Sequence, residues 1–125
     1  MRIAILGCKA SKQDYECPAD EMYSKSWVYR AQRDFISYVY NAYFIFSSEY
    51  GVIEPTRVIK PYNTTLYTNQ TISNSGEFSD SIILQAAKTI NEIEGEIDLH
   101  VSKPYYQKLK PHLTKKVNYG HSTDW

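Results

Sequence analysis

The chain reads as a small α/β domain in which a mainly parallel sheet is flanked by helices on both faces, three layers in all. Two observations predict this. Short β-prone runs at residues 2–7, 42–47 and 97–101 alternate with helical patterns at residues 24–40 and 79–94. Strand, helix and strand in succession call for right-handed β-α-β crossovers, which lay the strands parallel. With 125 residues, no internal repeat and no composition break, residues 1–125 read as a single α/β domain.

The first run, Ile3-Ala4-Ile5-Leu6, is apolar without a polar alternate, the pattern of a strand buried on both faces, and Gly7 ends it. Residues 8–23 carry lysines, acids and Pro18 without period and read as a loop. In 24–40, Trp27, Val28, Ala31, Phe35, Ile36 and Val39 recur at helical spacing, with Ser24 or Ser26 as cap. Tyr38, Tyr40 and Tyr43 are assigned to the helix and strand that build the core. Residues 42–47 form the second strand, and 48–74, with Gly51, Pro55 and Pro61, read as a long irregular passage. Ile83, Ala86, Ala87, Ile90 and Ile93 mark the second long helix, stopped by Gly95. Residues 97–101 alternate as a strand, Ser102 with Pro104 caps a short helix ending before Pro111, and 116–119 read as a last strand.

Fourteen basic and fourteen acidic residues give zero formal charge, which excludes a protein that coats nucleic acid through its bulk field while leaving room for a local phosphate site. An apolar fraction of 42% with 22% charged residues fits a soluble globule. The longest apolar run, 42–46, falls far short of a membrane span, and the N-terminal apolar run breaks at Lys9, so a cytoplasmic protein is expected. Cys8 and Cys17 are too few for a tetrahedral metal site, and His100, His112 and His121 lie far away in sequence. No metal and no cofactor is expected. The sequons Asn63-Thr64-Thr65 and Asn69-Gln70-Thr71 read as polar loop, and His121 to Trp125 as a tail.

Ligands in open α/β sheets bind beyond the carboxyl ends of the strands, so the segments after Gly7, Ser47 and Val101 are expected to share one rim. Cys8-Lys9-Ala10-Ser11-Lys12 reads either as an anion pocket or as a solvated loop around a buried cysteine. Ser47-Ser48-Glu49-Tyr50-Gly51 and Pro61-Tyr62 offer either a stacking wall for a base, with Ser47 or Glu49 bonding a sugar, or two tyrosines capping the core. Gly51 suits a backbone conformation closed to other residues, and Pro61 an extended one. Ser102-Lys103-Pro104-Tyr105-Tyr106 is either a helix N-terminus turned to an anion or an ordinary cap. His100, between Leu99 and Val101, reads as packed or surface rather than as a general base.

Three stretches resemble known families. The first strand with Cys8, Lys9 and Lys12, followed by Asp20-Glu21-Met22-Tyr23-Ser24, resembles the opening of the small DUF6884-like family of bacterial and phage proteins. Phe44-Ile45-Phe46-Ser47-Ser48-Glu49-Tyr50-Gly51-Val52-Ile53-Glu54-Pro55, with Ile59-Lys60-Pro61-Tyr62 and Leu66, matches the centre of that pattern. It is also similar to the Ser-x-x-Tyr-Gly-Val-Leu-x-Pro and Pro-Tyr segments of the peroxide stress protein YaaA family. Val101-Ser102-Lys103-Pro104-Tyr105-Tyr106-Gln107-Lys108-Leu109-Lys110-Pro111 is similar to that family's Ser-x-x-Tyr-Phe-x-x-x-Lys-Pro segment.

The resemblance implies a role close to nucleic acid and one shared site built from Ser47, Tyr50, Gly51, Pro61, Tyr62, Ser102 and Tyr105. The expectation is a protein directed at a nucleotide, nucleoside or nucleobase, acting at an N-glycosidic bond as hydrolase or transferase. Glu49, Cys8 and Lys9 are the catalytic candidates; Lys12 and Tyr23 join the shared residues in substrate binding. The alternatives are a non-catalytic DNA-binding or damage-response module of YaaA type, and a phage or mobile-element protein binding a host partner.

Overall fold

The computed structural model describes residues 1–9, 11–62 and 75–119. In chain order the elements are β1 (Arg2–Gly7), β2 (Cys17–Pro18), α1 (Ala19–Met22), α2 (Trp27–Val39), β3 (Ala42–Ser47), β4 (Gly51–Ile53) and β5 (Val58–Ile59). They continue with α3 (Ser75–Glu92), β6 (Glu96–His100), α4 (Lys103–Leu109), a 3-10 turn (Lys110–His112) and β7 (Val117–Asn118). Five strands make one sheet in the order β4-β3-β1-β6-β7, and β2 with β5 makes a separate ribbon. All pairings in the large sheet are parallel except β3 with β4. The chain therefore forms the mainly parallel, helix-flanked sheet that its pattern predicts.

β1 occupies the centre, with Ile5 registered against Phe44 on one side and Leu99 on the other. Its uninterrupted apolar run follows from this place, because both of its faces lie under other elements. Ile3 and Ile5 pack with Ile83, Ala86 and Ile90 of α3 and with Leu109 of α4. Ala4 and Leu6 face the other way, onto Met22, Tyr23, and Tyr29 and Ile36 of α2. The sequons, Leu66, Ala10 and the residues 121–125 lie outside the described residues.

Two of the expected loops contain structure. Within residues 8–23 the chain forms β2 and α1, and within 48–74 it forms β4 and β5. Cys17 pairs with Ile59 and Pro18 with Val58 in an antiparallel ribbon, extended by Ala19 N–H donating to the Arg57 carbonyl at 2.7 Å and Asp20 N–H to the Pro55 carbonyl at 2.9 Å. Two-residue strands carry no periodicity, and their stabilisation comes from a partner far along the chain, so local pattern does not reveal them. α3 begins at Ser75 rather than 79, and Gly95 (φ +110°) makes the turn from it into β6.

α2 corrects a second expectation. Of the two cap candidates it uses Ser26, whose hydroxyl accepts from Tyr29 N–H at 3.2 Å. Its buried residues are Tyr29, Gln32 and Ile36, while Trp27 is 72% and Tyr38 92% exposed. Tyr38 is therefore no part of the core. The inward face is set by a polar network rather than by the largest apolar side chains. The hydroxyls of Tyr29 and Tyr43 both donate to one oxygen of Asp20, at 2.9 and 2.8 Å, and Arg33 lies 3.9 Å from the other oxygen.

The β3–β4 turn is tight. Ser47 pairs with Gly51, and Gly51 adopts φ +81°, closed to side chains other than glycine without strain. A Cβ there would also lie 1.8 Å from Gln85 Oε1, the atom that accepts from Val52 N–H at 3.2 Å. Gly51→Ala is expected to cost about 1–3 kcal/mol, measured as a lowered denaturation midpoint, with the larger part of the loss retained when Gln85→Ala removes the clash.

Candidate functional site

The carboxyl ends of β1, β3 and β6 meet on one rim, and the ribbon of β2 and β5 folds two further segments over it. Cys8 N–H donates to the Phe46 carbonyl at 3.1 Å, carrying the β1–β3 ladder one residue past Gly7. This puts the Cys8 sulfur 3.9 Å from Ser48 Oγ and 3.8 Å from the Tyr105 hydroxyl. Tyr105 is buried, its ring 5.3 Å from that of Phe46, so its hydroxyl reaches the rim from within the core.

Ser47 is the junction of the neighbouring group. It is fully buried at the end of β3. Its hydroxyl donates to the Tyr62 hydroxyl at 2.8 Å and accepts from the backbone N–H groups of Glu49 at 3.1 Å and Tyr50 at 3.0 Å. The Tyr62 hydroxyl in turn is hydrogen-bonded to that of Tyr23. Tyr50 meets Tyr62 edge to face at 5.8 Å, and its hydroxyl accepts from Lys60 N–H at 3.2 Å. The Lys12 ammonium stands over the Tyr62 ring, 4.6 Å from its centroid, and the Arg57 guanidinium over the Tyr50 ring at 5.2 Å.

Electrostatics link the two groups through Cys8. Burial lowers the pKa of both Lys9 and Lys12 from the ordinary lysine value, and a negative charge at Cys8 works against that shift in each. Burial also raises the phenols of Tyr23 and Tyr62 far above the usual tyrosine range, with charge at Cys8 adding to the effect. Among the described residues no hydrogen bond or ion pair joins Lys9 to another side chain. The rim thus sets two partly desolvated ammonium groups beside a thiol and a chain of hydroxyls.

The rim brings Cys8, Lys9, Lys12, Tyr23, Ser47, Tyr50, Tyr62 and Tyr105 together through these contacts and couplings. Glu49 joins through its backbone N–H, and Gly51 through the turn it permits. Pro61 is exposed, directly before Tyr62. Ser102 is the N-cap of α4 by position only: its side chain makes no cap hydrogen bond, and its hydroxyl is buried without a hydrogen-bond partner among the described residues. Its carbonyl accepts from Tyr106 N–H at 3.1 Å, so the backbone alone starts the helix.

A second polar cluster escaped the sequence pattern. Asp98 and His100, both 3% exposed, lie two residues apart on one face of β6. The Asp98 carboxylate accepts from Arg2 at 2.9 Å, from the Tyr40 hydroxyl at 2.5 Å and from Asn118 at 2.7 Å. Tyr40 gives its one proton to Asp98, so His100 Nε2, 2.9 Å from the phenol oxygen, is the donor between them. Burial pushes the Asp98 carboxyl up, but the bonds from Tyr40, Asn118 and Arg2 outweigh it and hold the group below its ordinary value. The alternation of 97–101 marks these positions as one face; that the face is covered depends on Tyr40 and β7.

The fold defines a small α/β domain whose sheet, at the carboxyl ends of its parallel strands, has a rim lined by hydroxyls and lysines. The chain belongs to DUF6884, a family of unknown function, whose family model matches residues 3–121. No curated protein and no solved structure matches it, and the family match does not extend to YaaA. No described helix is long and apolar enough to cross a membrane.

Asp98→Ala leaves the Tyr40 hydroxyl and the Asn118 amide without their acceptor and is expected to cost about 2–3 kcal/mol. Because the folded-state pKa of Asp98 is depressed, its contribution is complete above the unfolded value near 4 and is lost as pH falls through the folded value. The variant should therefore show a shallower acid-side loss of stability than the parent, read from denaturation midpoints at stepped pH. At the alkaline end the sign reverses. The phenols of buried Tyr23 and Tyr29 and of half-buried Tyr40, Tyr43 and Tyr62 are raised, so the folded state binds more protons above about pH 10 and stability falls from there upward. Five phenolates should appear in the absorbance spectrum only together with loss of near-UV circular dichroism.

Proposed function

We propose that the rim binds a nucleotide, nucleoside or nucleobase and that the protein acts at its N-glycosidic bond. The observation that carries this reading is the pair Lys9 and Lys12, both held partly out of water beside Cys8 and the hydroxyls of Ser47, Ser48 and Tyr62. Desolvating an ammonium group costs free energy, and an arriving anion offsets that cost by restoring the charged form. Lysine is suited to a phosphate as a point charge with three donors. A phosphate between Lys9 and Lys12 leaves the sugar toward the Ser47–Gly51 turn and the base toward the half-buried rings of Tyr50 and Tyr62.

In this reading Glu49 is the carboxylate that stabilises the cationic sugar or activates water, the task a carboxylate performs when a glycosidic bond breaks. Cys8 holds the centre of the charge pattern, with Lys9 and Lys12 on one side and the hydroxyls on the other. The likeness of three segments to YaaA-like proteins, which are linked to DNA protection, supports a ligand of nucleic-acid type.

The test is a panel of inorganic pyrophosphate, nucleotides, nucleosides and short DNA, read by thermal shift and by chromatography of released base. A nucleotide should raise Tm and release free base, with affinity falling as pH rises through the lowered lysine values. Lys9→Ala should weaken nucleotide binding about 10- to 100-fold, as expected for a charge-assisted contact, while Glu49→Gln keeps binding and loses turnover. No shift and no released base with any member of the panel overturns the reading.

A further inference from the structure

Trp27, Ala31, Asp34 and Tyr38 follow one another along α2 at steps of four, three and four residues. That spacing puts them on one line of the helix, opposite the buried Tyr29, Gln32 and Ile36. Trp27 is 72% and Tyr38 92% exposed, and Phe35 beside them is 47% exposed. The helix thus presents two large rings at its ends and a small residue with a carboxylate between them. Arg30 lies on the flank of the same line; one of its nitrogens donates to the Ser24 carbonyl at 2.6 Å, and the rest of the guanidinium remains for another acceptor.

We infer that this face of α2 is the interface of a weak symmetric dimer, in which two copies of the helix pack antiparallel. A two-fold interface must be self-complementary, each residue meeting in the other copy the residue that meets it. The line satisfies that condition when reversed: Trp27 of one copy meets Tyr38 of the second, and Ala31 leaves space opposite Asp34. Arg30 of each copy then stands beside Asp34 of the other, whose carboxylate is 77% exposed and 3.7 Å from its own Arg33. With Arg33 also held by Asp20 and stacked over Tyr29, the face offers Arg30 and Asp34 as one cation and one anion, which suits a second copy and gives no attraction to nucleic acid or to an anionic membrane.

The size sets the strength. At roughly 150–250 Å² per aromatic side chain, the exposed parts of Trp27, Phe35 and Tyr38 supply on the order of 400 Å² per copy. With the flanking residues the pair buries about 1,000 Å², the lower end of specific interfaces, where association is reversible. The dimer exchanges with monomer in solution.

Sedimentation from low micromolar to near-millimolar concentration tests the inference. The parent chain should move from monomer to dimer, and Tyr38→Ser, which alters a side chain outside the core, should stay monomeric with an unchanged circular dichroism spectrum. Arg30→Asp and Asp34→Arg should each weaken self-association at least tenfold, and mixing the two variants should restore a dimer, which a pairing within one helix cannot do. A parent chain that stays monomeric throughout overturns the dimer. Equal association of Tyr38→Ser and parent, or a mixture that fails to associate although both variants are folded, overturns this interface.

Discussion

Burial of β1 on both faces is the constraint on which the rest of the molecule depends. A central strand bonds its backbone to neighbours on each side, and because other elements cover both faces of β1 its side chains are apolar above and below. Ile3 and Ile5 commit one face to α3 and α4, while Ala4 and Leu6 commit the other to Met22, Tyr23 and α2. Because β3 and β6 both run parallel to β1, their carboxyl ends are forced to one rim. Cys8, Ser47 and the start of α4 come together as a consequence of that direction.

The rim is then finished by hydroxyl chemistry. A buried serine at the end of β3 needs partners, and Ser47 finds them in the two N–H groups of its own turn and in Tyr62. Tyr62 needs a partner for its phenol as well and shares Tyr23 with it. Neither tyrosine could arrive without the small ribbon of β2 and β5, which fastens the segment before α2 to the segment after β4. The tyrosine-rich composition thus has a division of labour. Tyr29, Tyr40 and Tyr43 tie carboxylates inside the fold, Tyr23, Tyr62 and Tyr105 line the rim, and Tyr38 faces solvent on α2.

Buried charge is handled differently at the two polar centres. Around Asp98 both carboxylate oxygens accept hydrogen bonds, and the network joins β1, the end of α2, β6 and β7. Around Cys8 two ammonium groups are partly desolvated, and a negative charge at Cys8 works toward their charged form. A satisfied network specifies structure, whereas desolvated cations at a strand rim raise the affinity for an anion. That contrast separates the scaffold from the proposed site.

Continuous apolar character predicted β1, and the repeats of Ile83, Ala86, Ala87 and Ile90 predicted α3, because such patterns report burial residue by residue. The parallel order and the shared rim followed from alternation of strand and helix. The inward face of α2 did not follow, since Tyr29 was selected over Trp27 by Asp20, a residue outside the helix. The ribbon, the bond between Tyr23 and Tyr62, and the Asp98 cluster were equally invisible, since each joins segments distant in the chain. By itself the sequence determined which stretches pair with water and which with each other, through periodicity alone. The tertiary structure decided which polar groups face one another, because a hydrogen bond requires two positions and the local pattern records only one.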